Sequence, residues 1–162
     1  MSLRLWSDTQ ELTEVVQELR RPPRHHYRKG EVIQIGRQQR SHVPKRHYVS
    51  YPDVGVHEFG AIEPWLASEF DLLERSEQTA SLIRNGVVEA VLWVAVFAST
   101  RVEPPPICDE IVERARSLGS KIFVENYSYD PKDRDEAPSP DGDDICSAPK
   151  IPTKTWYPAE QA

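Results

Sequence analysis

The chain has 162 residues, 38% hydrophobic and 28% charged, and its 20 basic and 26 acidic side chains leave a net charge of −6. That is enough core for one domain and too little for two. The composition excludes collagen, coiled coil and wholesale disorder, and no apolar run approaches the roughly 18 residues of a membrane span.

In chain order, Leu3, Leu5 and Trp6 predict a strand, and Asp8 with Glu11 reads as a capping box opening a helix. Leu12, Val15, Val16 and Leu19 then mark one helical face, which Pro22-Pro23 ends. Between Arg24 and Pro52, two short strands built on Tyr27, Val32, Ile33, Ile35, Tyr48, Val49 and Tyr51 flank the polar stretch 36–46, as in a hairpin or edge pair. Residues 53–60 read as a loop. Pro64 suits a first helical turn, Trp65, Leu66, Phe70 and Leu73 carry an apolar stripe, and residues 76–84 form a second helix or continue the first, up to Asn85-Gly86.

Residues 87–98 are apolar on both alternating faces and predict a strand buried on both. Pro104-Pro105-Pro106 opens a helix whose inward residues are Ile107, Ile111, Val112, Ala115 and Leu118, with Gly119 as its stop. Ile122 to Tyr129 is the last strand, parallel to the 87–98 strand if the two are neighbours. Residues 131–162 hold Pro131, Pro138, Pro140, Pro149, Pro152 and Pro158, seven acids and few aliphatics, so they bury too little surface to offset chain entropy. Trp156 and Tyr157 are the exception, aromatics able to dock on their own domain or on a partner.

The expected architecture is α+β. Residues 1–130 make a single two-layer domain, a mixed or mostly antiparallel sheet of about five strands packed against about three helices. A Pro-rich, acidic, mostly disordered C-terminal tail covers residues 131–162.

No apolar stretch follows a basic start, so no secretory signal is read and a cytoplasmic protein is expected. Cys108 and Cys146 are too few for a disulfide framework. Cys108 lies near a helix start, which would favour a thiolate, but Asp109 and Glu110 oppose that. His25, His26, His42 and His47 cluster in one region without a cysteine partner or an HExxH spacing, so no metal and no cofactor is expected. No phosphate loop, nucleophile elbow or diagnostic carboxylate pair is present, and the reading leans against an enzyme.

The order of landmarks is a strand and short helix, Pro22-Pro23, Lys29-Gly30-Glu31, a strand near Tyr48 and a long helix. It continues with a strand around Trp93 to Phe97, a helix closing in Ser117-Leu118-Gly119 and a strand ending in Glu125-Asn126-Tyr127. This order resembles the bacterial domain of unknown function 4279 family over residues 2–129. Tyr48 stands where the pattern has a tryptophan, and the acidic tail lies outside it. The resemblance implies a compact bacterial α+β domain and brings neither an activity nor a functional residue.

Charge is distributed unevenly: ten basic and five acidic residues over 1–52, six and fourteen over 53–130, four and seven over 131–162. Two surfaces follow. The acidic one, Glu58, Glu63, Glu69, Asp71 and Glu74, with Trp156 and Tyr157 from the tail, suits a basic protein partner, because complementary charge speeds association and sets orientation. By analogy of charge and size, the expected function is a non-enzymatic protein-binding module of the immunity or inhibitor kind, capping a basic toxin. The alternative surface is the basic 20–46 hairpin, with Arg24, Arg28, Lys29, Arg37, Arg40, Lys45 and Arg46 beside Tyr27, Tyr48 and Tyr51. Such a surface binds phosphate or single-stranded nucleic acid by neutralisation and stacking, against which stands the acidic overall balance. A second alternative is an enzyme with a pocket that no motif announces.

Overall fold

The computed structural model describes residues 1–35, 40–54, 59–98, 107–128 and 153–157. Its strands are β1 (Ser2–Ser7), β2 (His25–Tyr27), β3 (Ile33–Ile35), β4 (Arg40–His42), β5 (His47–Ser50), β6 (Glu89–Ala98), β7 (Lys121–Ser128) and β8 (Thr153–Tyr157). Its helices are α1 (Thr13–Leu19), α2 (Ile62–Arg75), α3 (Glu77–Arg84) and α4 (Asp109–Leu118). Six strands form a mixed sheet in the order β2-β5-β1-β6-β7-β8, and β3 with β4 makes a separate two-stranded sheet. The class is α+β, as expected; the main sheet has one strand and the domain one α-helix more than expected, and the two-stranded sheet is additional. Among the described residues, no helix is long and apolar enough to cross a membrane.

Period-2 alternation builds one side of the sheet. Leu3 and Leu5 of β1, Ala90, Leu92, Val94 and Val96 of β6, and Ile122 and Val124 of β7 are buried in the core. The helices cover this side with Leu12, Val15 and Leu19, then Leu66, Phe70 and Leu73, then Ala80 and Ile83, then Ile111, Ala115 and Leu118. β6 and β7 are adjacent and parallel from Val91↔Lys121 to Ala98↔Ser128, with α4 between them in sequence. Gly119 ends α4 at φ 76°, a left-handed conformation that costs glycine little.

Local expectations fail where tertiary contacts replace them. The turn before α1 is not a capping box: the helix starts at Thr13 without a side-chain cap. Instead the Ser7 hydroxyl accepts the N–H groups of Thr9 and Gln10 at 3.3 and 2.9 Å. Residues 62–84 are two helices, separated at Ser76, whose backbone leaves the helical region at ψ 83°. The new N-terminus of α3 is capped from another helix, as Glu18 of α1 accepts the N–H groups of Gln78 and Thr79 at 3.0 and 2.7 Å. Burial alone would raise the Glu18 pKa, but these bonds and one from the Thr79 hydroxyl outweigh it and hold the carboxyl below its usual range.

The expected pair of strands in 24–52 is a nested ribbon of four. Its outer pair, β2 with β5, joins the main sheet, and its inner pair, β3 with β4, forms the tip. Tyr51, expected as an exposed aromatic, is 1% exposed in the core. β6, expected to be buried on both faces, is under helices on one; on the other, Val91 is buried but Phe97 is 66% exposed. From the tail, Thr153–Tyr157 is the sixth strand, antiparallel to β7.

Candidate functional site

The acidic surface of α2 is largely engaged within the molecule. Glu69 is 5% exposed, and both its oxygens accept from Arg21, at 2.7 and 2.8 Å. Asp71 and Glu74 share Arg114 of α4, at 2.7 and 2.8 Å. The Glu74 hydrogen bond, then that of Asp71, hold this guanidinium protonated more firmly than usual, against its desolvation. Glu63 accepts the Cys108 N–H at 2.7 Å, ahead of α4. What remains is a shallow concavity lined by Asp71, Glu74 and Arg75. Glu58 lies outside the described residues.

The basic ribbon is similarly matched. Arg24 pairs with Asp53, and Arg28 lies 2.9 Å from Glu11. Lys29 donates to the Asp8 carbonyl at 2.8 Å. Arg46 reaches Asp8 at 3.2 Å and Glu89 at 2.9 Å. Arg40 and Lys45 are exposed on the ribbon, and Arg37 lies outside the described residues. His25 faces the Ser50 hydroxyl at 3.0 Å, and His47 accepts the Lys29 N–H at 3.3 Å. Among the described residues, no group of three or more His, Cys, Asp or Glu is placed to hold a metal ion. Cys108 is exposed, and Cys146 lies outside the described residues.

Tyr51 marks where the two charged regions meet inside the protein. The Arg21 guanidinium that holds Glu69 also sits 4.7 Å over the Tyr51 ring. Burial, moderated by Arg21, pushes the phenol up to about 12. Its hydroxyl has no hydrogen-bond partner among the described residues. This is a structural junction of α1, α2 and the end of β5, closed to solvent on the Glu69 side.

A third surface emerges only from strand register. On the sheet side away from the helices, Tyr27, Tyr48 and Trp6 fall in one row across β2, β5 and β1. Their rings are 5.8 and 5.4 Å apart. A second row, Trp93, Phe123 and Trp156, crosses β6, β7 and β8 with ring separations of 4.7 and 4.4 Å. Beyond the Ala95–Glu125 pair along β6 and β7, Phe97 stacks on Tyr127 at 4.9 Å, with 10° between the ring planes. Arg4 lies between the rows, its guanidinium 3.7 Å over Trp93. Glu89, beside Trp6, is 3.6 Å from Lys121 as well as bound to Arg46.

Trp6, Arg4, Trp93, Phe97 and Phe123 were absent from the expected site. The available signal was the alternation in β1, where Ser2, Arg4 and Trp6 interleave with Leu3 and Leu5 and so assign one face to the core and the other elsewhere. Trp156 belongs to this aromatic surface, not to the acidic face of α2, while Tyr157 turns the other way and packs against the core. No family model matches the chain, and no match is found among curated proteins or solved structures.

Proposed function

We propose that the chain is a non-enzymatic protein-binding module whose contact surface is the aromatic face of the six-stranded sheet. The observation that carries this is the pair of aromatic rows on a face that no described helix covers. Tyr, Trp and Arg are enriched at interface centres, where rigid amphipathic rings supply contact area at low entropic cost. An immunity or inhibitor role in the bacterial cytoplasm fits such a module, since occlusion needs only a surface. Because Glu69, Asp71 and Glu74 already hold Arg21 and Arg114, α2 is the weaker candidate for the contact. The resemblance to the domain of unknown function 4279 family supplies no activity, so the reading rests on the surface.

The test is affinity purification from the source organism with three full-length baits: wild type, Trp6→Ser with Tyr48→Ser, and Asp71→Lys with Glu74→Lys. A partner kept by the charge-reversed bait and reduced at least tenfold by the aromatic variant is expected. The opposite pattern returns the contact to α2, and no specific partner on any bait overturns the binding reading.

The nucleic-acid alternative keeps one supporting observation, the Tyr27–Tyr48–Trp6 row beside Lys29, Lys45 and Arg46. Such a row would let bases stack beside neutralised phosphates. A gel shift with single-stranded RNA and DNA at low salt separates the two readings. Salt-sensitive binding lost on Tyr48→Ser favours nucleic acid, and its absence removes that alternative.

A further inference from the structure

β8 pairs with β7 from Ile122↔Tyr157 to Asn126↔Thr153, although residues 129–152 separate the two strands in sequence. Hairpin neighbours are usually joined by about 2–5 residues, so no tight turn sets this register. The segment is placed by what it meets on the β7 edge. On the aromatic face, the Trp156 ring is 4.4 Å from that of Phe123, and the Lys121 ammonium is 5.8 Å from the Trp156 ring. On the opposite face, Tyr157 packs against the helix-covered core. Consecutive strand residues project to opposite sides, so an adjacent aromatic pair grips both sides of the sheet while the ladder holds the backbone between them. An extended segment added to a sheet edge in this way gains affinity from main-chain bonds and specificity from alternate side chains. The Trp156 seat is also only partly closed, the side chain remaining 40% exposed.

We propose that the β7 edge, with Phe123 and Lys121 on one side and the core beside Ile122 on the other, is a docking groove for an extended peptide bearing two adjacent aromatic residues. β8 is its in-chain occupant, and a partner protein's segment of the same chemistry displaces it. The inference does not depend on the aromatic face being the module's principal contact surface. A tether of this kind holds its own segment at an effective concentration on the order of millimolar. The groove therefore opens to a partner only when the partner segment is locally concentrated or β8 is weakened.

The test uses the full-length chain and, as probe, a fluorescein-labelled peptide with the sequence of residues 150–160, read by anisotropy. Wild type is expected to show little binding at micromolar concentration. Trp156→Ala with Tyr157→Ala is expected to bind the peptide at least tenfold more tightly than wild type, and adding Phe123→Ala is expected to remove that gain. A folded double variant that binds no better than wild type overturns the proposal. If the double variant does not fold, a protease site placed within residues 131–150 of the otherwise unaltered chain is cleaved after folding. Release of the C-terminal fragment on dilution, and its competition by the peptide, support a displaceable occupant. A cleaved fragment that stays on the folded domain through dilution and is not competed off by excess peptide overturns it.

Discussion

The two faces of the six-stranded sheet are made by the same strands, often by neighbouring residues, and are chemically unlike. One carries Leu3, Leu5, Leu92, Ile122 and Val124, all sealed beneath helices. The other carries Arg4, Trp6, Tyr48, Trp93 and Phe97, with rings packed against neighbouring rings and partly in solvent. Aliphatic side chains with few rotamers pack a dry interior well. Large amphipathic rings left at the surface add contact area that folding alone does not require. The contrast separates the residues that hold the domain together from those available to a partner, and it makes measurable claims.

The largest expected effect is on the helix-covered face. Leu92→Ala leaves a cavity in the middle of the core and lowers stability by about 2–5 kcal/mol, read from urea denaturation. Next comes the ion pair beneath α2. Arg21→Met strands the Glu69 carboxylate in a site 5% exposed and destabilises by about 3 kcal/mol. Adding Glu69→Leu recovers most of that loss. If both single changes prove harmless, the pair is not buried as described, and α2 regains its claim as a docking surface.

Glu18→Ala removes the cap that α1 gives α3 and lowers stability by about 1 kcal/mol at neutral pH. Because the Glu18 pKa is held below its usual value of 4.5 in the folded protein, its contribution is complete above that value and fades as pH falls through the lower folded pKa. The melting-temperature gap between wild type and variant is therefore expected to close on acidification. The smallest effect belongs to the aromatic face. Phe97→Ser, on the same strand as Leu92, changes stability by less than about 1 kcal/mol. A loss there as large as that of Leu92→Ala would mean the face is structural and would remove the contrast.

How much of this was legible in the sequence follows from how local each feature is. The helical stripe Leu12, Val15, Leu19 and the stop at Gly119 depend on periodicity and on one backbone conformation, and both were readable. The parallel β6–α4–β7 unit was readable as an alternative, because strand, helix and strand follow one another. Register was not. The Tyr27–Tyr48–Trp6 row requires knowing that β1 lies beside β5 and that β5 lies beside β2, which no local pattern encodes. Runs of like charge misled for the same reason. Glu69 looked like a surface acid because its partner, Arg21, is 48 residues away, and Asp71, which is exposed, gave no sign of its pairing with Arg114, 43 residues away. Asp8 looked like a cap because the spacing was right, yet the Ser7 hydroxyl serves that turn and Asp8 turns to Arg46. The two-faced apolar run in β6 was read as doubly buried, since apolar content alone does not distinguish helix cover from rings packed on one another and partly in solvent.

One consequence of the sheet order concerns time rather than energy. β1, made of residues 2–7, lies in the interior of the sheet, between β5 and β6. Its flanking strands lie some 40 and 85 residues downstream, so one side of β1 stays unpaired until β6 has been synthesised. Long-range pairing of this kind slows folding and leaves an adhesive strand exposed meanwhile. Circular permutants that deliver β1 after β6 would shorten that wait, and a faster refolding phase in such a chain would identify β1 docking as the slow step.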